Sequence, residues 1–463
     1  MKAHSEAHCQ EVYSYGSFAA NGIYYERTSV AAGFSSVARP STPRNHGTAR
    51  SRMRNRITKG GPVVDSVPGK RAAVRSLRIR PASSEVARDI NRRIILNLIR
   101  LRHPISRADL ARVSGLQRST VSLIVEQLIE EQWVVEGPTG RLPRGRRPTF
   151  LRLNDERVII GVDLRPTQIT VAVSDANGKF SARETMVTPA DPGVAMAELI
   201  ERIRRVVESC RGRKVEGIGI SVPGRIDERT NCLVFSPNLK WAGLDMRTPI
   251  ANATGLTVEL ENAANACVLA AVWFDHVECR NLVVITVSEG IGAGLFLNGQ
   301  LVRGQHGLAG EFGHVSLDPE GPLCNCGLRG CWEMFASNRA ALRYYSESAA
   351  KTGDLSFADL LRRADRGDSR ARTALNRMAH YLGRGLRTIV AGLAPERIIV
   401  IGDLTQSWEH FGPVIESEMQ TSTLPGRCAP RVIPSRNDGM DRLRGTVALV
   451  LQNDFGTNRE VPA

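Results

Sequence analysis

Apolar positions divide the chain into three stretches of different texture. Up to about Pro81 no apolar periodicity is sustained, and Ser, Arg, Gly and Pro dominate, as in SSVARPSTPRNHGTARSRMRNR. Such a segment has too little apolar surface to offset the entropy of ordering, which predicts disorder over residues 1–83. From Ser84 apolar residues recur at helical spacing: Ile90, Ile94, Leu98 and Leu101, then Leu110 and Val113, then Val121, Ile124, Val125 and Leu128. The pattern predicts three short amphipathic helices. Between the second and third lies Ser114-Gly115-Leu116, where glycine supplies the positive φ of an abrupt turn, the spacing of a helix-turn-helix. Trp133-Val134-Val135-Glu136 and Thr149-Phe150-Leu151-Arg152-Leu153 then read as two strands enclosing the tip RLPRGRRP. Residues 84–153 are therefore expected to form a winged helix-turn-helix.

The third stretch, residues 154–463, alternates strands and helices. VIIGVDL, QITVAVSD and VEGIGISV read as strands, DANG as a hairpin turn, and a helix is expected from about 193 to 210. A second series follows: TVELE, a helix from about 262 to 273, NLVVITV, GAGLFL and QLVRG joined at Asn298-Gly299, and later RIIVIGD and RVIP. Two successive series predict an α/β body of two lobes facing a cleft.

Charge sharpens this division. The 463 residues carry a net charge of +15, but residues 1–80 hold +10, residues 81–153 hold +6 and the remainder −1. A neutral body with a basic end is the distribution expected when that end meets a polyanion. Residues 1–80 have three readings that the sequence leaves open: a functional basic arm, a weak nonspecific DNA binder, or the product of a start codon assigned too far upstream, Met53 or a later codon being the true one. No apolar run approaches the ~18 residues of a membrane helix, and MKAHSEAHCQEVYSYG lacks a basic stretch followed by an apolar core, so a cytoplasmic location without a membrane is expected.

Two groups of residues carry candidate chemistry. In a helix-turn-helix the first turn of the second helix enters the major groove, and Gln117, Arg118, Ser119 and Ser122 open the third helix, off its apolar stripe. Arg141, Arg144, Arg146 and Arg147 crowd the wing tip, suited to phosphates or a narrow minor groove. The second group is His314 with Cys324, Cys326 and Cys331: three thiolates and an imidazole complete a tetrahedral zinc site, and a full ligand set with no open position makes that zinc structural. The loop from 314 to 331 would wrap the ion, helped by Gly327 and Gly330.

The segments GIGISVPGRID, SPNLKW, ELENAANA, GIGAGLFLNGQLVRG and LAGEFGHVSLDPEGPLCNCGLRGCWE resemble the ROK family (repressor, open reading frame, kinase). The likeness runs from about Ser84 to the C-terminus. Within that family repressors carry a winged helix and kinases lack it, so the chain looks like the branch that holds the N-acetylglucosamine and xylose repressors. The resemblance implies an actin-like, RNase H-like two-lobed fold with a sugar in the cleft. Asn262, Glu311, His314 and Glu333 match family positions that hydrogen-bond sugar hydroxyls, a task suited to carboxylates and amides because each hydroxyl both donates and accepts. The zinc loop would hold Glu333 and His314 in place.

Departures from the family pattern concern its kinases. Asp163-Leu164-Arg165-Pro166-Thr167 replaces a glycine-rich phosphate loop, and Asn262-Ala263 replaces the Asn-Asp that supplies the general base. Ser288-Glu289-Gly290 sets a carboxylate where phosphate would lie, and Ile401-Gly402-Asp403-Leu404 replaces a glycine-rich nucleotide segment. These four losses predict a pseudokinase, and Ala263 also removes a usual sugar ligand. Gln117 stands where family repressors place a serine N-cap. The expected function is a DNA-binding transcriptional regulator, a repressor of carbohydrate uptake or catabolism genes. It would bind a double-stranded operator as a homodimer or homotetramer and respond to a sugar or sugar derivative. The rivals are an ATP-dependent sugar kinase with an attached DNA-binding domain, and a regulator that binds no sugar.

Overall fold

The computed structural model describes residues 84–139, 148–227, 230, 232–275, 277, 279–348, 355–420, 429–435 and 439–456. The basic segment 1–83 and the wing tip with Arg141, Arg144, Arg146 and Arg147 lie outside the described residues.

The first unit comprises α1 (Ser84–Arg102), β1 (Ile105–Ser106), α2 (Arg107–Ser114), α3 (Arg118–Glu130), β2 (Val134–Thr139) and β3 (Thr149–Leu153). Strand β3 pairs antiparallel with β2 on one side and β1 on the other. The Ser106 hydroxyl caps α2 by accepting from the Asp109 amide at 3.2 Å, and Gly115 ends that helix at φ 72°. Val121, Ile124, Val125 and Leu128 are buried on α3, as its spacing predicts.

Helix α1 departs from the expectation. Its buried apolar residues are Ile95, Leu96 and Ile99, whereas Ile90, Ile94 and Leu101 are 36–47% exposed. Val113 of α2 is exposed too. The face of α1 is chosen by what lies beneath it: Trp133 and, from more than 350 positions downstream, Phe455. Local periodicity holds no trace of that partner.

The body begins with β4 (Arg157–Leu164), β5 (Gln168–Asp175), β6 (Phe180–Val187), α4 (Pro192–Ser209) and β7 (Lys214–Val222). A small antiparallel sheet of β8 (Arg225–Asp227), β9 (Cys232–Ser236) and β10 (Trp241–Leu244) follows, then α5 (Arg247–Thr254) and β11 (Val258–Asn262). The main sheet has the order β11-β7-β4-β5-β6. β4, β5 and β6 form an antiparallel meander, and β7 and β11 add parallel to β4.

Helix α6 (Ala263–Phe274) leads to β12 (Leu282–Val287), β13 (Ile291–Leu297) and β14 (Gln300–Leu301). After the long segment that carries the cysteines come α7 (Glu333–Ala336), α8 (Asn338–Ser348), α9 (Phe357–Asp365), α10 (Ser369–Leu393), β15 (Arg397–Ile401), α11 (Trp408–Gln420), β16 (Arg431–Pro434) and α12 (Asp441–Phe455). This sheet has the order β14-β13-β12-β15-β16 and repeats the scheme of the first: an antiparallel meander with two parallel strands added to its first member. The mixed α/β, two-lobed body is the one expected.

Helices α6 and α12 join the lobes. α6 is apolar on every side and buried, the signature of a helix enclosed by protein. It lies along β12 and β13 on one side and α12 on the other, and α12 in turn covers β4 and β7. The crossing is close: a Cβ at Gly445 would stand 1.9 Å from the Ala266 carbonyl oxygen, so only glycine fits there.

Candidate functional site

The segment after β14 brings together three of the four predicted sugar-facing residues. Glu311 and His314 lie in one 3₁₀ turn, with His314 Nε2 3.7 Å from Glu311 Oε2. Glu333 opens α7, and its Oε1 lies 3.8 Å from His314 Nδ1. Desolvation pushes the Glu311 carboxyl above its usual range, against the pull of His314 and Arg225. The second lobe's first hairpin abuts the group, since a Cβ at Gly290 would stand 2.5 Å from Glu333 Oε2.

Asn262 stands apart from these three. It is the N-cap of α6: its Oδ1 accepts from the Ala264 amide at 2.8 Å, and its Nδ2 donates to the Gly224 carbonyl at 2.7 Å. One N–H and one lone pair remain for a ligand. Beside it lies a cavity of about 250 Å³ lined in part by Glu259, Glu261, Asn265 and Arg303. Glu261 is buried and accepts from Arg303 Nε at 2.8 Å, from its own neighbour's amide at Asn262 at 2.9 Å, and from Asn265 Nδ2 at 2.9 Å. This inter-lobe ion pair escaped the sequence reading. Its residues are 42 apart and neither is unusual alone.

His314, Cys324, Cys326 and Cys331 converge as predicted, their donor atoms all within 4.8 Å of one another. Cys324 Sγ is 3.6 Å from His314 Nδ1, and Cys326 Sγ is 3.5 Å from Cys331 Sγ. Tetrahedral donors at zinc–sulfur distances of ~2.3 Å stand roughly 3.7 Å apart, so the cluster has the dimensions of a small tetrahedral cation. It can hold a metal ion. Gly330, at φ 65°, makes the closure, and a Cβ there would overlap the Asp318 carbonyl at 1.6 Å. Burial pushes the Cys331 thiol up to about 11, helped by the neighbouring Cys326, and drives Cys324 up as well. A bound cation would reverse both. The Cys324 thiol donates to Glu333 Oε1 at 3.1 Å, so the cluster touches the carboxylate directly. His314 serves both groups, Nδ1 toward the thiols and Nε2 toward Glu311.

At the other edge of the cleft, three of the four departing segments lie among the chain's own groups. Asp163, buried at the end of β4, holds Arg165 Nε at 2.6 Å, with Arg442 Nη1 3.9 Å away on its other oxygen. Burial disfavours the Arg165 guanidinium but Asp163 outweighs it, and the net shift is upward. The chain's own cation thus occupies the aspartate. Ala263 is buried in the first turn of α6, and no carboxylate replaces it there. The Ser288 amide donates to the Gly290 carbonyl, closing the β12–β13 hairpin on itself. Arg339 donates to the Glu289 carbonyl at 2.7 Å and to Asn238 Oδ1 at 2.6 Å, tying that hairpin to the first lobe.

On the first unit, Gln117, Arg118 and Ser119 are exposed and Ser122 is half-buried. Gln117 is the N-cap of α3 and makes no side-chain hydrogen bond to it, as its length predicts. Leu123, 63% exposed on the same face, was missed; an outward leucine inside an apolar run is invisible until the buried face is known.

The ROK family model matches residues 159–453, and the chain belongs to that family. A xylose repressor of Bacillus spizizenii is 33% identical over 351 residues, 74% of this chain and 90% of its own length. Among solved structures, a ROK-family transcriptional regulator homologous to the Escherichia coli MLC protein superposes with a TM-score of 0.70 at 24% identity, covering 80% of this chain and 98% of its own. A ROK glucokinase of Streptomyces griseus, solved with glucose and AMPPNP, gives a TM-score of 0.58 at 28% identity, covering 64% of this chain and 99% of its own. Among the described residues no helix is long and apolar enough to cross a membrane.

Proposed function

We propose that this chain is a sugar-responsive transcriptional repressor that binds double-stranded DNA through residues 84–153 and carries no kinase activity. One observation supports this above the rest: a three-helix unit with an open recognition face is joined to a body that brings Glu311, His314 and Glu333 together, while its Asp163 is held by its own Arg165. On α3, Arg118 reads a guanine edge, Gln117, Ser119 and Ser122 contact bases or phosphates, and Leu123 suits a thymine methyl. Arg141, Arg144, Arg146 and Arg147 hold phosphates from the wing. Two or four copies would pair these units over a symmetric operator.

Asn262, Glu311, His314 and Glu333 form the sugar site. Zinc is the proposed metal, held by His314, Cys324, Cys326 and Cys331. When bound it supplies no reactive position and serves as a cross-link. The protein's own groups do the rest: the loop fixes the His314 ring so that Nε2 faces the ligand, and Glu333 is oriented from the same scaffold.

Thermal unfolding against a panel of hexoses, pentoses and N-acetylated sugars tests the sugar site, since a ligand of the native state raises stability. Fluorescence anisotropy with DNA upstream of the gene tests the first unit, and Arg118→Ala should relax base preference at one position. The similarity to glucokinases favours the rival reading, an ATP-dependent sugar kinase. Calorimetric titration with ATP and a phosphorylation assay over the same sugars decide it: turnover in the ~1–100 s⁻¹ range of kinases overturns the proposal. Ala263→Asp alone should restore none, because Arg165 still occupies Asp163.

A further inference from the structure

Three polar side chains of α1 reach across to the body, and each ends on a backbone carbonyl at the C-terminus of a helix. Arg100 Nη1 donates to the Trp273 carbonyl at 2.6 Å, in the last turn of α6. Asn97 Nδ2 donates to the Phe455 carbonyl at 2.8 Å, and Arg93 donates to the Gly456 carbonyl, both at the end of α12. The three lie at positions i, i+4 and i+7 of one helix face. Cations suit these places, because the last carbonyls of a helix lack intrahelical partners and carry its negative dipole end. The contacts are not loose surface pairings. Arg93 is buried, the Arg100 guanidinium lies 4.5 Å from the centre of the Trp273 ring, and burial lowers it to about 10. Phe455 meets Trp133 edge-on at 5.2 Å and Trp273 at 5.9 Å, so one aromatic cluster joins the first unit to both helices.

The two helices belong to different lobes: α6 lies along the second sheet and α12 covers the first. α6 also begins at Asn262, whose amide caps it at the cleft. Twelve helical residues at 1.5 Å each span ~18 Å from that cap to the carbonyl held by Arg100. Because α6 is buried along its length and crossed at Gly445, it can shift only as a rigid body.

We propose that α1 is the sensor of lobe position: Arg100 follows α6, Arg93 and Asn97 follow α12, and a sugar that changes the angle between the lobes turns α1 and with it α3. This rests on the repressor reading above and names how its sugar site is coupled to its DNA-binding face. Coupling of this kind is a ratio of affinities, separable from either affinity alone.

The experiment uses the full chain and its Arg100→Met/Asn97→Ala variant, with D-xylose, D-glucose and N-acetyl-D-glucosamine as probes and a duplex selected from a random pool by the sugar-free protein. In the unaltered chain one of these sugars should weaken DNA binding at least about tenfold. In the variant each ligand alone should bind within about threefold of the original, while the sugar changes DNA affinity by less than twofold. A variant that keeps the full sugar effect overturns the proposal. Arg100→Lys, which keeps the charge but not the planar stack, should give an intermediate ratio and covers the case in which the double variant fails to fold. Hydrogen exchange provides a second readout: sugar should alter protection of the amides from 93 to 100, and no change there also overturns the proposal. An unaltered chain that binds neither DNA nor any of the sugars sinks the repressor reading itself, an outcome distinct from intact binding with unbroken coupling in the variant.

Discussion

The two lobes share one sheet topology and each buries an apolar core, but the cysteine-bearing segment of the second is fixed in another way. In the first, β4, β5 and β7 bury Val158, Ile160, Val162, Val171 and Ile220 against α4, and the structure is fixed by apolar area removed from water. In the second, the segment between β14 and α7 has a small interior, Ala309, Phe312 and Leu317 packing against the lobe's core. Val315, Leu323 and Leu328 are exposed, and 314 to 333 are drawn together by the converging His-Cys cluster, by two isolated bridges, Ser316 with Cys331 and Leu323 with Arg329, and by backbone hydrogen bonds such as Leu317 to Gly330 and Trp332 to Val315. A segment with little core of its own can still present rigid groups when a metal cross-links it. Glu311 and His314 lie in this segment, and Glu333, at its end, touches the Cys324 thiol of the cluster.

That contrast can be broken most forcefully at the cluster. Cys331→Ser removes one of four donors, and the loss should reach several kcal/mol, seen as a lower unfolding temperature and metal content well below one per chain by elemental analysis. Chelation of the unaltered protein should raise amide exchange across 314–333 and leave β4 and β7 protected; uniform loosening would show that this segment is not held differently from the first lobe's sheet. In the first lobe Ile160→Ala should cost about 2–5 kcal/mol by denaturant unfolding, with no dependence on metal. Gln117→Ser offers α3 the cap it lacks and should stabilise the first unit by up to ~1 kcal/mol, measured the same way. Smallest of all, Leu323→Ala within the metal loop should change stability by less than about 0.5 kcal/mol, because its side chain is already in water.

The sequence carried nine of the ten strands in the body's two large sheets, the turn at Gly115, the buried face of α3 and the four converging His and Cys side chains, because each is written in local spacing; β6 and the small sheet β8–β10 were missed. The last of these is clearest: Cys324, Cys326 and Cys331 lie within eight residues and His314 ten before them. What was not legible depends on partners far along the chain. The regular series Ile90, Ile94, Leu98 and Leu101 pointed to the wrong face of α1, since Phe455 decides which side is covered. The Glu261–Arg303 pair and the grip of Arg100 on Trp273 are likewise invisible in spacing, and β1 is two residues long, too short to show alternation. The double placement of His314, named both for metal and for sugar, has a geometric account in its two ring nitrogens facing opposite ways.

The position of Phe455 has a consequence for how the molecule is made. Its ring completes the core of a unit whose first helix is synthesised more than 350 residues earlier. While the chain emerges from the ribosome, α1, α2 and α3 can form but must wait for α12 before Trp133 and Ile99 are covered. Closing so distant a contact is slow. A chain interrupted before α12 therefore leaves the apolar surface around Trp133 and Ile99 open to water, where it favours association with other unfinished chains.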